Sequence, residues 1–204
     1  NNKRTLPWRI SQNSKKKHYY RILSEFMLQQ TQVKTVIPYF KRFVHKVPSL
    51  KALSVSNEKK ILKLWEGLGY YSRAKNLHKT SKILIKKYKG KIPNSFEELK
   101  ELPGIGDYTA NVLLALIHNQ PRIGLDANVK RVFLRLFNIE TNNVENLFKT
   151  ERNGDLAEAL MEFGALICKP KDPKCYECKI KKICFYYASE SKTKLEKKIK
   201  IKKK

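Results

Sequence analysis

The sequence has few acidic residues: 18 Asp and Glu stand against 44 Lys and Arg, which gives a formal net charge of +26. The last fourteen residues, 191–204, hold eight lysines and one glutamate, so they account for +7 and leave +19 on the rest of the chain. The excess of positive charge is spread along the whole chain, and it predicts a polyanionic partner such as nucleic acid. The alternative is a lysine-rich composition without any such partner.

Long hydrophobic runs are also missing. No stretch of eighteen apolar residues occurs, which argues against a membrane-spanning helix, and the first residues lack the pattern of a secretory signal. Alternating strands and β-hairpin pairs are absent as well, whereas apolar residues recur at helical spacing. The sequence therefore predicts an all-α protein whose 204 residues suffice for a core in one domain or two close-packed lobes.

Helix-terminus signals divide the chain into a series of helices. Ser56 and Asp107 are predicted to cap the helices that follow them, and the helix around Pro38 is expected to kink. The segment 142–152 is ambiguous. The predicted helices cover 15–31, 33–46, 56–66, 72–88, the residues from Ser95 to a hairpin, 107–117, the residues after Asp126, and 156–167.

The segment 102–106, Leu-Pro-Gly-Ile-Gly, predicts a tight hairpin between two helices. Backbone N–H groups at Gly104 and Gly106 can hold one phosphate, although the same segment is also an ordinary helix–helix turn. Asp126 follows about twenty residues later, where it is either a helix N-cap or a catalytic carboxylate. A phosphate clamp and a carboxylate on one short scaffold indicate chemistry beside a nucleic-acid backbone.

Two further segments carry residues suited to nucleic acid. Gln29, Gln30 and Gln32 surround Thr31 where the first helix ends, and their amides either bond bases and phosphates or form a polar helix end. In the turn Gly67-Leu-Gly-Tyr-Tyr71, two glycines precede two tyrosines. Their rings either wedge into a base stack or pack as the first turn of the next helix.

All four cysteines lie within seventeen residues, at Cys168, Cys175, Cys178 and Cys184, in the spacing C-x6-C-x2-C-x5-C. Such density in a basic chain without a secretory signal favours a metal centre over disulfides. Four thiolates suit either a [4Fe–4S] cluster or a zinc ion, and the spacing alone leaves the two equal. With four protein ligands and no open position, the metal would be structural.

Together these segments resemble the helix-hairpin-helix DNA glycosylases with a C-terminal iron–sulfur loop, and most of all the MutY-type adenine DNA glycosylases. The resemblance covers residues 5–185 and rests on the hairpin, the glutamine-rich segment, the double-tyrosine turn, the Leu125-Asp-Ala-Asn-Val129 segment and the cysteine spacing. It implies a two-lobed all-α fold. The implied parts are a six-helix lobe over 13–120 with the helix-hairpin-helix at 99–118, an iron–sulfur lobe formed by 1–12 and 121–189 with a [4Fe–4S] loop at 168–184, and a basic tail at 190–204.

The resemblance implies a monofunctional glycosylase that removes adenine mispaired with 8-oxoguanine or guanine from double-stranded DNA, after the base leaves the stack. Glu25 matches the general acid that protonates adenine at N7, and Asp126 matches the carboxylate that stabilises the cationic sugar. Tyr108 and Asn128 match residues that position these groups. From the residues themselves, a carboxyl at the edge of an apolar helix face can hold a proton near neutrality, and two carboxylates suit cleavage at an anomeric carbon.

Further matches concern DNA and the cluster. Gln30 and Tyr70 match side chains that enter the duplex around the extruded base, and Leu68 matches a contact to the opposing lesion base. The predicted DNA-binding set is completed by Thr31, Gly104 and Gly106. The four cysteines match the ligands of the [4Fe–4S] cluster.

Tyr108 separates two subfamilies, because bifunctional members similar to endonuclease III have a lysine at this position that forms a Schiff base with the sugar. We therefore predict little or no strand cleavage. The family often has glycine at the position of Ala127. Alanine at this position also occurs in a related thymine-mismatch branch, so a thymine-specific glycosylase is the alternative enzyme. A non-catalytic, metal-stabilised DNA-binding module is the alternative from another class.

The resemblance also sets expectations for the protein's context. It implies a monomer without membrane association that works in the bacterial cytoplasm, held at the nucleoid by DNA. The C-terminal domain with which full-length members recognise 8-oxoguanine has no counterpart in these residues. We therefore expect adenine excision to be retained and discrimination of 8-oxoguanine from guanine to be weakened.

Overall fold

The computed structural model describes residues 4–9, 14–139 and 149–189, and within these ranges it is helical and contains no strand. The all-α prediction is thereby confirmed, while the basic tail and most of 142–152 lie outside the described residues. None of the helices in these ranges has the length and apolar character needed to span a bilayer. The helices are α1 (Ser14–Leu28), α2 (Val33–Lys46), α3 (Leu50–Val55), α4 (Glu58–Trp65), α5 (Ser72–Tyr88), α6 (Phe96–Lys100), α7 (Asp107–His118), α8 (Ala127–Phe137) and α9 (Asn153–Leu166), with 3₁₀ helices at Pro7–Arg9 and Lys181–Ile183.

Two hydrophobic clusters hold these helices together. The larger one is built around α1, which packs against α2, α5 and α7. Full burial of each large apolar side chain contributes about 1.5–3 kcal/mol, so the apolar face of α1 fixes the helix firmly. The smaller cluster joins α8 to α9. The fully buried apolar residues of α1 include Ile22, Leu23, Phe26 and Met27, and the smaller cluster contains Ile123, Val129 and Phe133 with Leu160 and Met161 packed against it.

The N-terminal segment contacts both the larger hydrophobic cluster and the last helix, α9. Trp8 is 3% exposed and meets the ring of Phe40 edge-on, with the ring centroids 5.3 Å apart. This tryptophan therefore anchors the N-terminal segment on the larger cluster. Its neighbours Arg4 and Arg9 instead reach carboxylates on α9. The segment thus ties the larger cluster to the last helix.

Helix α9 approaches α7 and α8 closely at two glycines. A Cβ atom on Gly154 would lie 2.8 Å from the carbonyl oxygen of Ala115, and one on Gly164 would lie 2.7 Å from the Cβ of Asn128. Any side chain at either position would push the helices apart. Glycine therefore brings α9 close enough for the side chains between these two positions to reach α1 and α7.

Two predicted helix caps are wrong. Asn57, not Ser56, caps α4. Ser56 is instead the C-cap of the short helix Leu50–Val55, a helix that was not predicted from the sequence. Asp107 is the first residue of α7 and not its cap, since Gly106 occupies the N-cap position. An acidic residue in the first turn still complements the helix dipole, so the same sequence signal fits both positions.

Candidate active site

A cavity of about 1070 Å³ opens beside α1, between the N-terminal segment, the start of α8, and α9. The four residues predicted to be catalytic all line it, and these are Glu25, Tyr108, Asp126 and Asn128. Three of the predicted DNA contacts also line it, namely Gln30, Thr31 and Tyr70. The other three, Leu68, Gly104 and Gly106, do not. The fold therefore gathers residues from distant parts of the sequence into one concave site.

Glu25 lies on α1 with only 8% of its surface exposed. Burial raises the pKa of its carboxyl to about 7. The positive charges of Arg21 and Arg9 oppose this rise, whereas the carboxylates of Glu158 and Asp126 add to it. A carboxyl with this pKa keeps a proton in a large fraction of molecules near neutral pH, as a general acid must.

Asp126 is fixed by the helix that it caps. Its Oδ1 accepts a hydrogen bond from the backbone N–H of Val129 at 2.7 Å, and its Oδ2 accepts one from Nδ2 of Asn128 at 3.1 Å. The Oδ1 of Asn128 accepts from Nη2 of Arg131 at 2.8 Å, and the same Nη2 donates to the carbonyl of Gly164 at 2.8 Å. The predicted N-cap is therefore confirmed, and this carboxylate is held in one orientation at the cavity wall.

Tyr108 lies near both carboxylates. Burial, followed by the charges of Glu25 and Asp126, raises the pKa of its hydroxyl, so the side chain stays a neutral phenol near neutral pH. That hydroxyl donates to the sulfur of Met161 at 3.6 Å. A Cβ on Gly124 would lie 2.9 Å from the ring. Glycine at that position therefore leaves room for the tyrosine.

Sequence reasoning missed a buried ion-pair cluster in the cavity wall, formed by Arg4, Arg9, Arg21, Glu158 and Glu162. Glu158 accepts a hydrogen bond from Nε of Arg9 at 3.1 Å and pairs with Arg21. Burial alone would raise the pKa of Glu162, but its bonds to Arg4 and Arg9, at 2.6 and 3.2 Å, lower that pKa below the ordinary value. A signal was available, because two glutamates one turn apart on an apolar helix are unusual in a chain with 18 acidic residues.

The raised pKa of Glu25 predicts a pH-dependent stability. The folded pKa of about 7 exceeds the ordinary value of 4.5, so the folded state binds the proton more tightly than the unfolded state does. The resulting stabilisation is fully present below pH 4.5 and is lost as the pH rises through 7, a loss of about 3 kcal/mol. In Glu25→Gln, which is neutral throughout, the free energy of unfolding should lack this decline.

Denaturant unfolding at about pH 5 and pH 8 measures this difference. Glu66→Gln, a surface variant with the same chemical change, is the control and should keep the decline of the parent. An identical pH dependence in Glu25→Gln and the parent would show that Glu25 is not a buried proton carrier.

Arg73 joins two turns that were predicted to contact DNA. Its guanidinium donates to the carbonyl of Gln29 at the end of α1 and to that of Gly69 at 3.1 Å, and it lies 5.4 Å from the ring centroid of Tyr70. Gln30 and Tyr70 have φ angles of +53° and +47°, a region that side-chain-bearing residues rarely adopt. Contacts such as those of Arg73 maintain this strain, which commonly marks functional sites.

The hairpin is packed on one side and open on the other. Gly104 has φ +80°, and a Cβ there would lie 2.8 Å from the ring of Phe26 and 2.9 Å from Asn76. Its carbonyl accepts a hydrogen bond from Nε2 of Gln29 at 3.1 Å. Gly106, at the N-cap of α7, has open space around it. The exposed backbone at this helix start therefore has room for a phosphate.

Leu68 differs from the other predicted DNA contacts. Its side chain is only 6% exposed and belongs to the larger hydrophobic cluster. The neighbouring Tyr70 and Tyr71 are 61% and 44% exposed, so these rings supply the apolar surface of the turn. The predicted contact of Leu68 with a base requires the turn to rearrange, because the side chain is buried beneath the surface.

The four cysteines line a single apolar cavity beside α8. All four are half-buried free thiols, and burial, followed by the other three cysteines, raises the pKa of Cys175. Arg135 of α8 donates to the sulfur of Cys168 at 3.6 Å, and its carbonyl accepts from the thiol of Cys184 at 3.4 Å. In the part of the chain that the structure describes, no group of three or more His, Cys, Asp or Glu side chains is arranged to hold a metal ion.

Comparison with known families places the chain in a class. Residues 23–154, more than half of the chain, match the HhH-GPD superfamily base excision DNA repair protein family. The matched region contains Glu25, the hairpin and Asp126. The chain therefore belongs to the HhH-GPD superfamily, which confirms the predicted helix-hairpin-helix glycosylase fold.

Within this superfamily the chain is similar to adenine DNA glycosylases. It is 43% identical over 195 residues to that of Buchnera aphidicola subsp. Baizongia pistaciae, covering 91% of this chain and 54% of that protein. It is 36% identical over 202 residues to the Mus musculus protein, covering 91% of this chain and 39% of that protein. These similarities support the MutY-type assignment, and the chain spans about half, or less, of the length of these relatives.

Two solved structures share the fold. One is a thermostable thymine-DNA glycosylase, with a TM-score of 0.79, 28% identity, and coverage of 91% of this chain and 89% of that chain. The other is a non-covalent Endonuclease III–DNA complex, with a TM-score of 0.71, 24% identity, and coverage of 85% of each chain. The second likeness concerns the fold alone.

Proposed function

We propose that this chain is the catalytic core of a monofunctional adenine DNA glycosylase. It hydrolyses the N-glycosidic bond of adenine mispaired with 8-oxoguanine or guanine in double-stranded DNA. The observation that carries the proposal is the convergence of two carboxyl groups on one large cavity: Glu25, whose pKa is about 7, and Asp126, which is fixed by the helix it caps. The similarity to adenine DNA glycosylases supports the choice of base.

DNA is held mainly through charge and backbone contacts. The net charge of +26 attracts the duplex, and the backbone at Gly104 and Gly106 binds one phosphate. Gln30, Thr31 and Tyr70 contact the duplex where the adenine leaves the stack, because they line the cavity that receives it. An extruded base then lies beside Glu25 and Asp126.

Bond cleavage needs one proton donor and one stabilising anion. The protonated carboxyl of Glu25 donates its proton to N7 of the adenine, so the base leaves as a neutral molecule with the electron pair of the C1′–N9 bond. The carboxylate of Asp126 stabilises the positive charge left on the sugar, directly or as a covalent ester, before water attacks C1′. The proton released by that water returns to the Glu25 carboxylate. Tyr108 stays neutral and positions these groups, as does Asn128 through its bond to Asp126.

Base release from a duplex with adenine opposite 8-oxoguanine tests the proposal. We expect strand cleavage only after hot alkali, because Tyr108 has no amine with which to form a Schiff base. A sample without alkali and a borohydride trapping reaction are the controls. Cleavage without alkali, or a trapped covalent complex, would contradict the monofunctional mechanism. The same duplex with guanine in place of 8-oxoguanine tests the expected weak discrimination between the two opposing bases.

A thymine-specific glycosylase is the second candidate, because a thymine-DNA glycosylase shares the fold at a TM-score of 0.79. Release of thymine opposite guanine, without release of adenine, would establish it. Tight binding without release of either base would instead establish a non-catalytic DNA-binding module.

We also propose that Cys168, Cys175, Cys178 and Cys184 hold a [4Fe–4S] cluster. Four thiols around one apolar cavity suit such a group, and the guanidinium of Arg135 lies beside them to offset its negative charge. A zinc ion is the alternative that four thiolates could also hold. When bound, the cluster supplies a structural crosslink between the cysteine loop and α8.

Removing one ligand should release this group. We expect Cys178→Ala to lose iron and inorganic sulfide together. It should also bind DNA more weakly, because the cysteine loop at 168–184, which carries several lysines, loses its anchor. Tyr176→Ala is the matched control, since this residue of the same loop is 91% exposed. Metal and sulfide analysis of the purified proteins gives the answer. Zinc without iron in the parent would contradict the cluster.

We further propose that the two hydrophobic clusters correspond to the two predicted lobes, 13–120 and 1–12 with 121–189, in a monomer. The ion pairs of Arg4 and Arg9 with α9 support grouping the N-terminal segment with the second lobe, although Trp8 packs into the larger cluster. Light scattering of the DNA-free protein tests whether it is a monomer in solution.

A further inference from the structure

Arg21 is a buried charge in the cavity wall that takes no part in the reaction steps. It is 7% exposed and lines the same cavity as Glu25. One of its terminal nitrogens pairs with Glu158, but its Nε is buried without a hydrogen-bond partner. A buried guanidinium with an unsatisfied donor costs stability, and apolar residues in place of the whole ion pair would often be the more stable arrangement.

The ion pair connects two walls of the cavity. Oε1 of Glu158, on α9, accepts from Nε of Arg9 at 3.1 Å and pairs with Nη1 of Arg21. A single carboxylate oxygen thus holds guanidinium groups from the N-terminal segment and from α1. Because residues four apart on a helix are neighbours on one face, Arg21 is held next to Glu25.

Titratable groups face Glu25 from its own helix and from four other parts of the fold. Arg21 lies on its own helix and Arg9 on the N-terminal segment, while Glu158 faces it from α9 and Asp126 from the start of α8. The neutral phenol of Tyr108 faces it from α7. After burial, Arg21 is the strongest influence on the pKa of Glu25, and it lowers that pKa.

We propose that Arg21 is a positioning residue for the glycosylase reaction: through its ion pair with Glu158 it holds a positive charge beside Glu25, which lets that carboxyl give up and regain its proton near neutral pH. The inference rests on the proposed function. Without the cation, burial and two facing carboxylates would hold the proton on Glu25 and make it a weaker acid.

The expected signature of Arg21→Met has two parts. Activity requires protonated Glu25, so the rate of the parent falls as the pH rises through about 7. Loss of Arg21 raises the pKa of Glu25, so this alkaline fall moves upward by about one pH unit. The maximal rate drops several-fold, because the weaker acid transfers its proton less readily. A residue with only a packing role would lower the rate without moving the fall.

Single-turnover adenine release across this pH range compares the parent with three variants. Arg21→Met removes the charge, Arg21→Lys keeps it, and Lys17→Met removes an exposed charge one turn earlier on the same helix. Infrared difference spectra against Glu25→Gln follow the carboxyl band of Glu25 directly and need no activity. We expect the upward shift only in Arg21→Met.

Each outcome decides the question. Coincident pH profiles in Arg21→Met and the parent, or an equal shift in Arg21→Lys, overturn the role of the Arg21 charge. If the parent releases no adenine, the proposed function fails, and the infrared titration still tests Arg21. If Arg21→Met does not fold, the double variant with Glu158→Gln is compared with Glu158→Gln alone, because removing both charges of a buried pair is less disruptive. The pKa of Glu25 must still be higher in the double variant.

Discussion

Replacing Asp126 by Asn should abolish base release and leave the fold and DNA affinity intact. A neutral amide neither stabilises a cationic sugar nor attacks C1′, so we expect the rate to fall on the order of 10³-fold or more. The helix should survive, because asparagine is as good an N-cap as aspartate and its Oδ1 can still accept from Val129. The amide of Asn128 loses a charged acceptor but keeps its bond to Arg131.

Three measurements isolate this effect: single-turnover adenine release, binding to the mismatched duplex, and thermal unfolding. Asp155→Asn, a change at an exposed aspartate in the first turn of α9, is the matched control and should behave as the parent does. A rate in Asp126→Asn within tenfold of the parent would remove Asp126 from the chemistry. Loss of DNA binding together with activity would instead indicate a role for this carboxylate in holding the duplex.

Local sequence signals predicted the parts of the site that depend on neighbouring residues. Asp126 could be recognised because it stands at a helix start, and Glu25 because it borders an apolar helix face. Asp107 shows the limit of such signals. An acidic residue suits both the N-cap and the first helical turn, and only the backbone of Gly106 decides between them.

The buried ion-pair cluster depends on contacts that no local pattern contains. Arg4 and Glu162 are 158 positions apart in the sequence, and Arg9 and Glu158 are 149 apart. Their meeting requires the close packing of α9 at Gly154 and Gly164, which becomes evident only when the neighbouring helices are in place. The same holds for Arg73, whose donors join two turns that are separate in the sequence.

The burial of the Leu68 side chain could not be predicted from the sequence pattern either. An apolar residue between two glycines suits an exposed turn or a core anchor equally well, because either glycine allows the backbone to reverse. The structure places this side chain in the core and exposes Tyr70 and Tyr71 instead. The choice depends on how the turn packs against the larger cluster, and the residues of the turn alone do not contain that information.

Replacing Glu25 by Gln should also stop catalysis, and the remaining reaction should change character. The neutral amide keeps the size of the side chain but donates no acidic proton, so we expect the rate near pH 7 to fall about 10²–10⁴-fold. In the parent, the rate should be flat well below pH 7 and fall above it, following the pKa of about 7. In Glu25→Gln, solvent must protonate the adenine, so the residual rate should fall about tenfold per pH unit across the whole range.

A measurement of unfolding distinguishes a loss of catalysis in Glu25→Gln from a loss of the folded structure. A buried carboxyl with a raised pKa destabilises the fold as the pH rises. Between acidic and alkaline pH, the free energy of unfolding should therefore fall less in Glu25→Gln than in the parent. A variant that loses both activity and stability at pH 8 would show that Glu25 supports the fold. The expected combination, an inactive protein freed of its alkaline instability, would mean that the chain keeps a buried acid at the expense of stability because the reaction needs its proton.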